Sequence, residues 1–245
     1  MLFKNLFVYR LGKKWSLTAE GLAEQLARQP LQPPGSFAME SRGWLPPREE
    51  DPRLVYDLER HWLFALGHEQ KLLPASVIKQ AAKDRAAQIS VAHGRPVGRK
   101  EMRDIKDRVT NELLPRALAK RSTLRAWLDS KNRLLMIDTS ADKKAEEFLE
   151  ALRLAEENFP CRRLETKLSP GSAMTRWLME QEAPFGFSID QDLELQAADM
   201  SKATVRYARH ALEGKDIRDH ISAGKTVMKM GLTWNRSEEH TSELQ

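Results

Sequence analysis

A charged helical stretch stands between segments that read as strands. Residues 95–125, RPVGRKEMRDIKDRVTNELLPRALAKRSTLR, hold ten Lys/Arg and four acids, a local balance of +6. At 3.6 residues per turn Met102, Ile105, Val109 and Leu113 share one face, and the charges fall mainly elsewhere. Such a stretch buries one side and offers a cationic side to something acidic. Any fold for this chain must therefore accommodate a helical insertion between sheet-forming parts.

A solvated face explains part of the charge. Asp104 stands four residues from Lys100 and Arg108, Asp107 from Arg103, and Glu112 from Arg116. Such pairs stabilise a helix by about 0.2–0.5 kcal/mol each. Pro115 cannot donate a hydrogen bond and ends or kinks the helix near Leu114. Beyond it Arg116, Lys120, Arg121 and Arg125 meet no acid until Asp129. Basic clusters without acids are the electrostatic footprint of phosphate binding.

The rest of the chain reads in order. Residues 3–11 form a strand. Thr18 caps a helix with Leu22 and Leu26 inward. Residues 30–52 are loop-rich, with Trp44 as a packed anchor in an extended segment. Residues 53–73 give two or three strands, with Trp62, Phe64 and Leu66 on one face. Pro74 opens a helix over about 76–88, and residues 93–98 break it before the basic helix. Residues 124–139 form a hairpin with its turn at Ser130-Lys131-Asn132. A helix over 142–157 turns Ala145, Phe148, Leu149 and Leu152 inward. Then come a strand at 161–168, a helix at 172–182, and a strand pair at 185–196 with Asp190 in its turn. An exposed strand at 203–212, a helix at 215–223 and a strand at 225–234 complete the reading. The fold class expected is α+β, antiparallel sheets with packed helices and an inserted helical arm. The parts expected are 1–75 and 126–235 as two halves of an α+β body, with the arm at 76–125.

The last ten residues, RSEEHTSELQ at 236–245, read as a translated sequencing adaptor and are set aside as a foreign tail. Without them the chain holds 39 bases and 32 acids, +7. No apolar run reaches the length of a transmembrane helix. Lys4 and Asn5 interrupt the apolar start, so no signal peptide is expected. The single cysteine, Cys161, excludes an internal disulfide and fits a reducing cytoplasm.

Catalytic patterns are sparse. Ala223-Gly224-Lys225-Thr226 matches only the end of a phosphate-binding loop, because Asp219 occupies the place of the first glycine. Gly224 reads as a helix C-terminal glycine instead. The histidines form no zinc spacing, and no metal or cofactor is expected. Cys161 beside Arg162 and Arg163 is either an activated thiolate or a bystander. Asp129, Asp138 and Asp190 sit where a two-metal nuclease places its acids, but also where turns use them. A second basic region covers 202–229. There Lys202, Arg206 and His210 share the parity of one extended strand, with Arg209 on the other face.

Eight strings carry a resemblance in order: MLFKNLFVYRL at the start, GWLPP at 43–47, KLLPASVIKQ at 71–80, NELLPRALAKRS at 111–122, WLDSKNRLLMIDTSADKKAEEFLEALR at 127–153, TRWL at 175–178, FGF at 185–187 and HISAGKTVMKMGLTW at 220–234. Together they resemble the RdgC family, recombination-associated proteins of proteobacteria. The resemblance implies a homodimer closed into a ring, with a positively charged hole for double-stranded DNA. It implies binding with little sequence preference, antagonism of RecA in the nucleoid, and no catalysis. Chains of that family continue past Trp234, so the resemblance implies a truncated end here.

Carried over by position, Leu113–Leu118 lies at the tip of the arm, with Leu114, Pro115 and Leu118 as dimer contacts. The family can place a larger aromatic at Leu118. Arg206, Arg209 and His210 face the hole, as do the arm bases Arg95, Arg99, Lys100, Arg103 and Lys106. Two readings of other classes stand beside this one: a DNA-processing enzyme such as a metal-dependent nuclease, and a protein-only adaptor with an acidic partner.

Overall fold

The computed structural model describes residues 3–13, 15–157 and 159–234. The chain divides into two compact units, residues 1–164 and 165–245. The expected foreign tail at 236–245 lies outside the described residues. All named strand pairings are antiparallel, and with six α-helices among the described residues the fold is α+β.

The first unit runs β1 (Phe7–Leu11), α1 (Ala19–Leu26), β2 (Glu40–Leu45), β3 (Val55–Leu58), β4 (His61–Lys71), α2 (Ala75–His93), α3 (Arg99–Leu113), a 3-10 turn (Leu114–Arg116), β5 (Ala119–Asp129), β6 (Leu134–Ile137), α4 (Asp142–Ala155) and β7 (Cys161–Arg163). The sheet order is β2-β4-β5-β6-β1-β7, with β3 also paired to β4. Thr18 caps α1 by accepting from the Gly21 amide at 3.1 Å. On α4 the i, i+3, i+4, i+7 set Ala145, Phe148, Leu149 and Leu152 is buried, as the period requires. Phe148 lies 5.4 Å from Trp44 and 5.7 Å from Phe64, ring to ring, which ties α4 to the sheet. Full burial of side chains this large contributes roughly 1.5–3 kcal/mol each.

Trp44 anchors its segment as expected, but that segment is a strand. Glu40–Leu45 is poor in strand formers. It extends because β4 pairs along it and because Leu31 donates to the Trp44 carbonyl while Trp44 donates to Gln29, both at 2.8 Å. Gly43 is required there, since a Cβ would meet the Leu31 backbone at 2.5 Å.

The helix stops near Leu114 as Pro115 requires, but the arm expected to run to residue 125 does not. The helix ends at Leu113, and residues 119–129 are strand β5, paired with β4 along all eleven residues. Arg121 lies opposite Glu69 and donates Nε to its carboxylate at 2.7 Å, so the basic run is drawn into the ladder. The hairpin turn after β5 is held by Asp129, which accepts from the Asn132 amide at 2.9 Å and from its Nδ2 at 2.7 Å.

The second unit holds α5 (Pro170–Glu180), β8 (Phe187–Ala197), β9 (Thr204–Tyr207), α6 (Lys215–Ser222) and β10 (Lys225–Trp234), with sheet order β10-β8-β9. Its core gathers Leu178, Leu193, Leu195, Leu212, Ile217 and Val227. Two expectations fail here. Residues 187–197 are one strand, not a pair. Asp190 lies at a register irregularity of β8, between the Ile189–Leu232 and Leu193–Met230 pairs, and its carboxylate accepts from the Thr233 hydroxyl on β10 at 2.9 Å. The expected strand over 203–212 stops at Tyr207, because Arg209 takes the left-handed backbone (φ 52) and the chain turns.

Candidate nucleic-acid interface

Two antiparallel helices, α2 and α3, join β4 to β5 and meet along a small apolar seam. Ala82, Ala86, Ile105 and Val109 are buried in it, with Met102 and Leu113 packed against them. The alanines on α2 let the helices approach closely. The apolar face read for α3 is thus the packed one.

The expected i, i+4 ion pairs do not form. Glu112 reaches across to Arg85 on α2 at 3.1 Å, not along the helix to Arg116. Glu101 is bonded by Arg95 Nη1 at 2.9 Å and Nη2 at 3.4 Å. Hydrogen bonding from Arg95 holds the Glu101 carboxyl below its ordinary range. Among the described residues Asp104 and Asp107 make no ion pair, so they do not neutralise Lys100 or Arg103 by contact. Arg95, assigned to DNA, is in this arrangement already partnered.

The helical period sorts the remaining charges. Arg85, Glu101 and Glu112 lie on one flank of the seam. Arg99, Arg103 and Lys106 (i, i+4, i+7) lie on the other flank of α3. In an antiparallel pair the flank of α2 opposite Arg85 falls on that same side, and it carries Lys79 and Lys83. These five cations are exposed and, among the described residues, make no ion pair; Asp107, four residues from Arg103, stands at the outer edge of their flank. Lys100 points away from the seam, roughly a quarter turn from Arg99. Lys79 and Lys83 were absent from the sequence reading. The signal that locates them is the pairing of the two helices, which a single helical wheel does not contain.

Leu113–Leu118 sits at the sheet side of this helix pair, not at its far end. The Leu118 carbonyl accepts from the Leu72 amide at 2.7 Å, which pins it where β4 and β5 begin to pair. The far end is the turn at 94–98, where Gly94 takes φ 63 at the C-terminus of α2. Leu114 is only 3% exposed and packs inside its own chain, whereas Leu118 is 78% exposed and Pro115 is exposed.

In the second unit the expected cation row is broken up. Arg206 lies on β9 opposite Glu194 of β8, and Glu194 accepts from Lys229 Nζ of β10 at 2.9 Å. Arg209 follows the strand, with its amide bonded to Asp192 at 3.4 Å. His210 Nδ1 lies 2.8 Å from the Ala211 carbonyl, so that nitrogen carries the proton. Its ring sits 5.2 Å from that of Tyr207. Lys202 takes φ 48 in the turn before β9. Only Arg206 of these lies within a regular strand.

The chemical alternatives take definite places as well. Gly224 adopts φ 89 directly after α6 and before β10, the setting of a helix terminus. Burial pushes the Cys161 thiol up, against an activated thiolate. Asp138 accepts from the Lys4 and Asn5 amides at 3.0 and 3.1 Å, so Asp129 and Asp138 at strand ends and Asp190 within β8 are each hydrogen-bonded within the fold. Among the described residues no group of three or more His, Cys, Asp or Glu is placed to hold a metal ion. Among them also, no helix is long and apolar enough to cross a membrane.

Residues 1–240 match the model of the family described as "Putative exonuclease, RdgC". This chain belongs to the RdgC family. A Janthinobacterium sp. (strain Marseille) protein named "Recombination-associated protein RdgC" is 44% identical over 234 residues, 96% of this chain and 78% of that protein. Proteins of the same name from Herminiimonas arsenicoxydans and Dechloromonas aromatica (strain RCB) are each 43% identical, again over 96% of this chain and 78% of theirs. This RdgC family member thus carries, on its α2–α3 pair, a flank of exposed cations without ion-pair partners among the described residues.

Proposed function

We propose that this protein binds double-stranded DNA without reading its sequence, as a homodimer that encircles the duplex, and that it restrains RecA-dependent recombination. The observation that carries the DNA reading is the flank of Lys79, Lys83, Arg99, Arg103 and Lys106, five exposed cations that make no ion pair among the described residues, with Asp107 the one acid at their edge. Cations spaced along two helices suit a polyanion that is itself extended. Contacts of this kind position a duplex through its phosphates and leave base edges unread. The recombination role rests on family membership, and the relatives' shared name supports it. The ring and the dimer rest on the resemblance, with exposed Leu118 as the apolar contact. The cytoplasm and nucleoid are the corresponding location.

The word exonuclease in the family's description favours a second reading, a DNA-degrading enzyme. Supercoiled plasmid and linear duplex incubated with the protein and magnesium or manganese separate the two. A mobility shift with intact DNA is expected. Nicking or end-resection that follows the protein through purification would replace the binder with the enzyme.

A further inference from the structure

A separate basic constellation surrounds a cleft of about 380 Å³ at the end of β1, beside the β5–β6 turn and the start of β7. Arg10, Lys13, Arg133 and Arg162 line it, and no acidic side chain does. Leu11, Gly12 and Pro160 supply the apolar part of its wall.

Arg10 and Arg162 are direct partners in the β1–β7 register. Like charges facing one another across a ladder weaken the pairing. The fold nevertheless clamps them there. The Leu11 amide donates to the Arg133 carbonyl at 2.9 Å, the Gly12 amide to Pro160 at 2.7 Å, and Arg133 Nη1 to the Lys13 carbonyl at 3.4 Å. Among the described residues none of the four bases has a carboxylate within 4.0 Å. The neighbouring Arg163, on the opposite face of β7, shows the contrast: it is paired to Asp142 at 2.9 Å and lies over the Phe7 ring. Concentrated positive charge without a protein counter-ion is stabilised by an anion from outside.

We propose that this cleft binds a free nucleoside polyphosphate. Arg10, Arg133 and Arg162 present guanidinium forks that match phosphate oxygens two at a time, and Lys13 adds a point charge. The chain of ionised phosphates answers four cations, and the base lies against Pro160. A concave cleft of this size falls within the roughly 300–1,000 Å³ of small-molecule sites. A continuous duplex backbone is served better by an extended flank such as that of α2 and α3. The phosphate chemistry is shared by free nucleotides and nucleic acid, and the test distinguishes them.

The test is anisotropy of a fluorescent ATP analogue with the whole chain, with ATP, inorganic triphosphate and a random duplex as competitors. The double variant Arg10→Gln/Arg162→Gln is expected to weaken binding by about tenfold or more. Arg163→Gln leaves it unchanged. ATP displaces the probe better than triphosphate, and the duplex does not displace it. Removing the facing charges should leave the melting temperature equal or higher, so lost binding is not lost fold. Should that variant fail to fold, Arg133→Gly, suited to φ 54 at that position, gives the same readout. No probe binding at millimolar protein, or binding indifferent to these variants, overturns the site. Triphosphate competing as well as ATP overturns the nucleoside. Displacement by duplex, with duplex affinity itself weakened in the double variant, makes the cleft a nucleic-acid contact instead.

Discussion

Arg85 on α2 donates to Glu112 on α3 at 3.1 Å, and this bond joins the helices along the flank opposite the unpaired cations. On one flank base and acid are paired, and on the other five cations stand without ion-pair partners among the described residues. The side chains of the pair are 50% and 59% exposed, so its contribution is that of a surface ion pair, about 0.2–1 kcal/mol. Arg85→Gln and Glu112→Gln, singly and together in a urea double-mutant cycle, should return a coupling in that range. Duplex affinity should change little, since neither residue lies on the cationic flank. A coupling above about 2 kcal/mol would contradict a solvent-screened pair.

The aromatic junction of α4 with the sheet should dominate stability in the first unit. Phe148→Ala removes a fully buried ring from between Trp44 and Phe64. A loss of about 3–5 kcal/mol is expected by denaturant unfolding. Leu154→Ala, on the exposed side of the same helix, should change stability by less than about 0.5 kcal/mol.

The inward faces of α3 and α4 were legible because each follows a strict helical period with no competing signal. The strand at Lys225–Trp234 was legible because Gly224 marks the end of the helix before it. What escaped depended on partners distant in sequence. Residues 119–123 are helix-compatible and basic, and only pairing with β4, including Glu69 opposite Arg121, makes them strand. Glu40–Leu45 is unattractive as a strand until Trp44 is buried. Asp190 looks like a turn former until Thr233 gives it a cross-strand partner. The site was half legible for the same reason. The bases of α3 can be read off the chain, but Lys79, Lys83 and the removal of Arg95 by Glu101 need the helix pair.

Acid should expose one local linkage. Hydrogen bonds from the Arg53 side chain and amide bring the Asp51 carboxyl from its ordinary 3.8 to about 2. A folded-state value below the unfolded one adds stability that is complete above 3.8 and lost as the pH falls toward 2. Asp51→Asn should therefore flatten part of the acid limb of the stability profile in that window. Carbon-detected NMR titration of the Asp51 carboxyl gives the value directly, and a midpoint near 3.8 would remove the linkage.

Leu114 and Leu118 should separate folding from assembly. Leu114→Ala opens a cavity within the chain and should cost about 2–5 kcal/mol of subunit stability. Leu118→Glu, at a 78% exposed position, should leave subunit stability within about 0.5 kcal/mol while weakening self-association in sedimentation experiments. Unchanged association in Leu118→Glu would take this residue out of the dimer contact.

The most direct test is duplex binding across a salt series, comparing the unaltered chain with the triple variant Arg99→Gln/Arg103→Gln/Lys106→Gln. The unaltered chain should show a steep fall of log K with log salt that is the same for unrelated sequences. The triple variant should bind more weakly and lose up to about 0.9 from that slope for each phosphate contact removed. An unaltered slope and affinity in the triple variant, or no binding by the unaltered chain at ~50 mM salt where phosphate contacts are strong, would contradict the assignment of this flank to DNA.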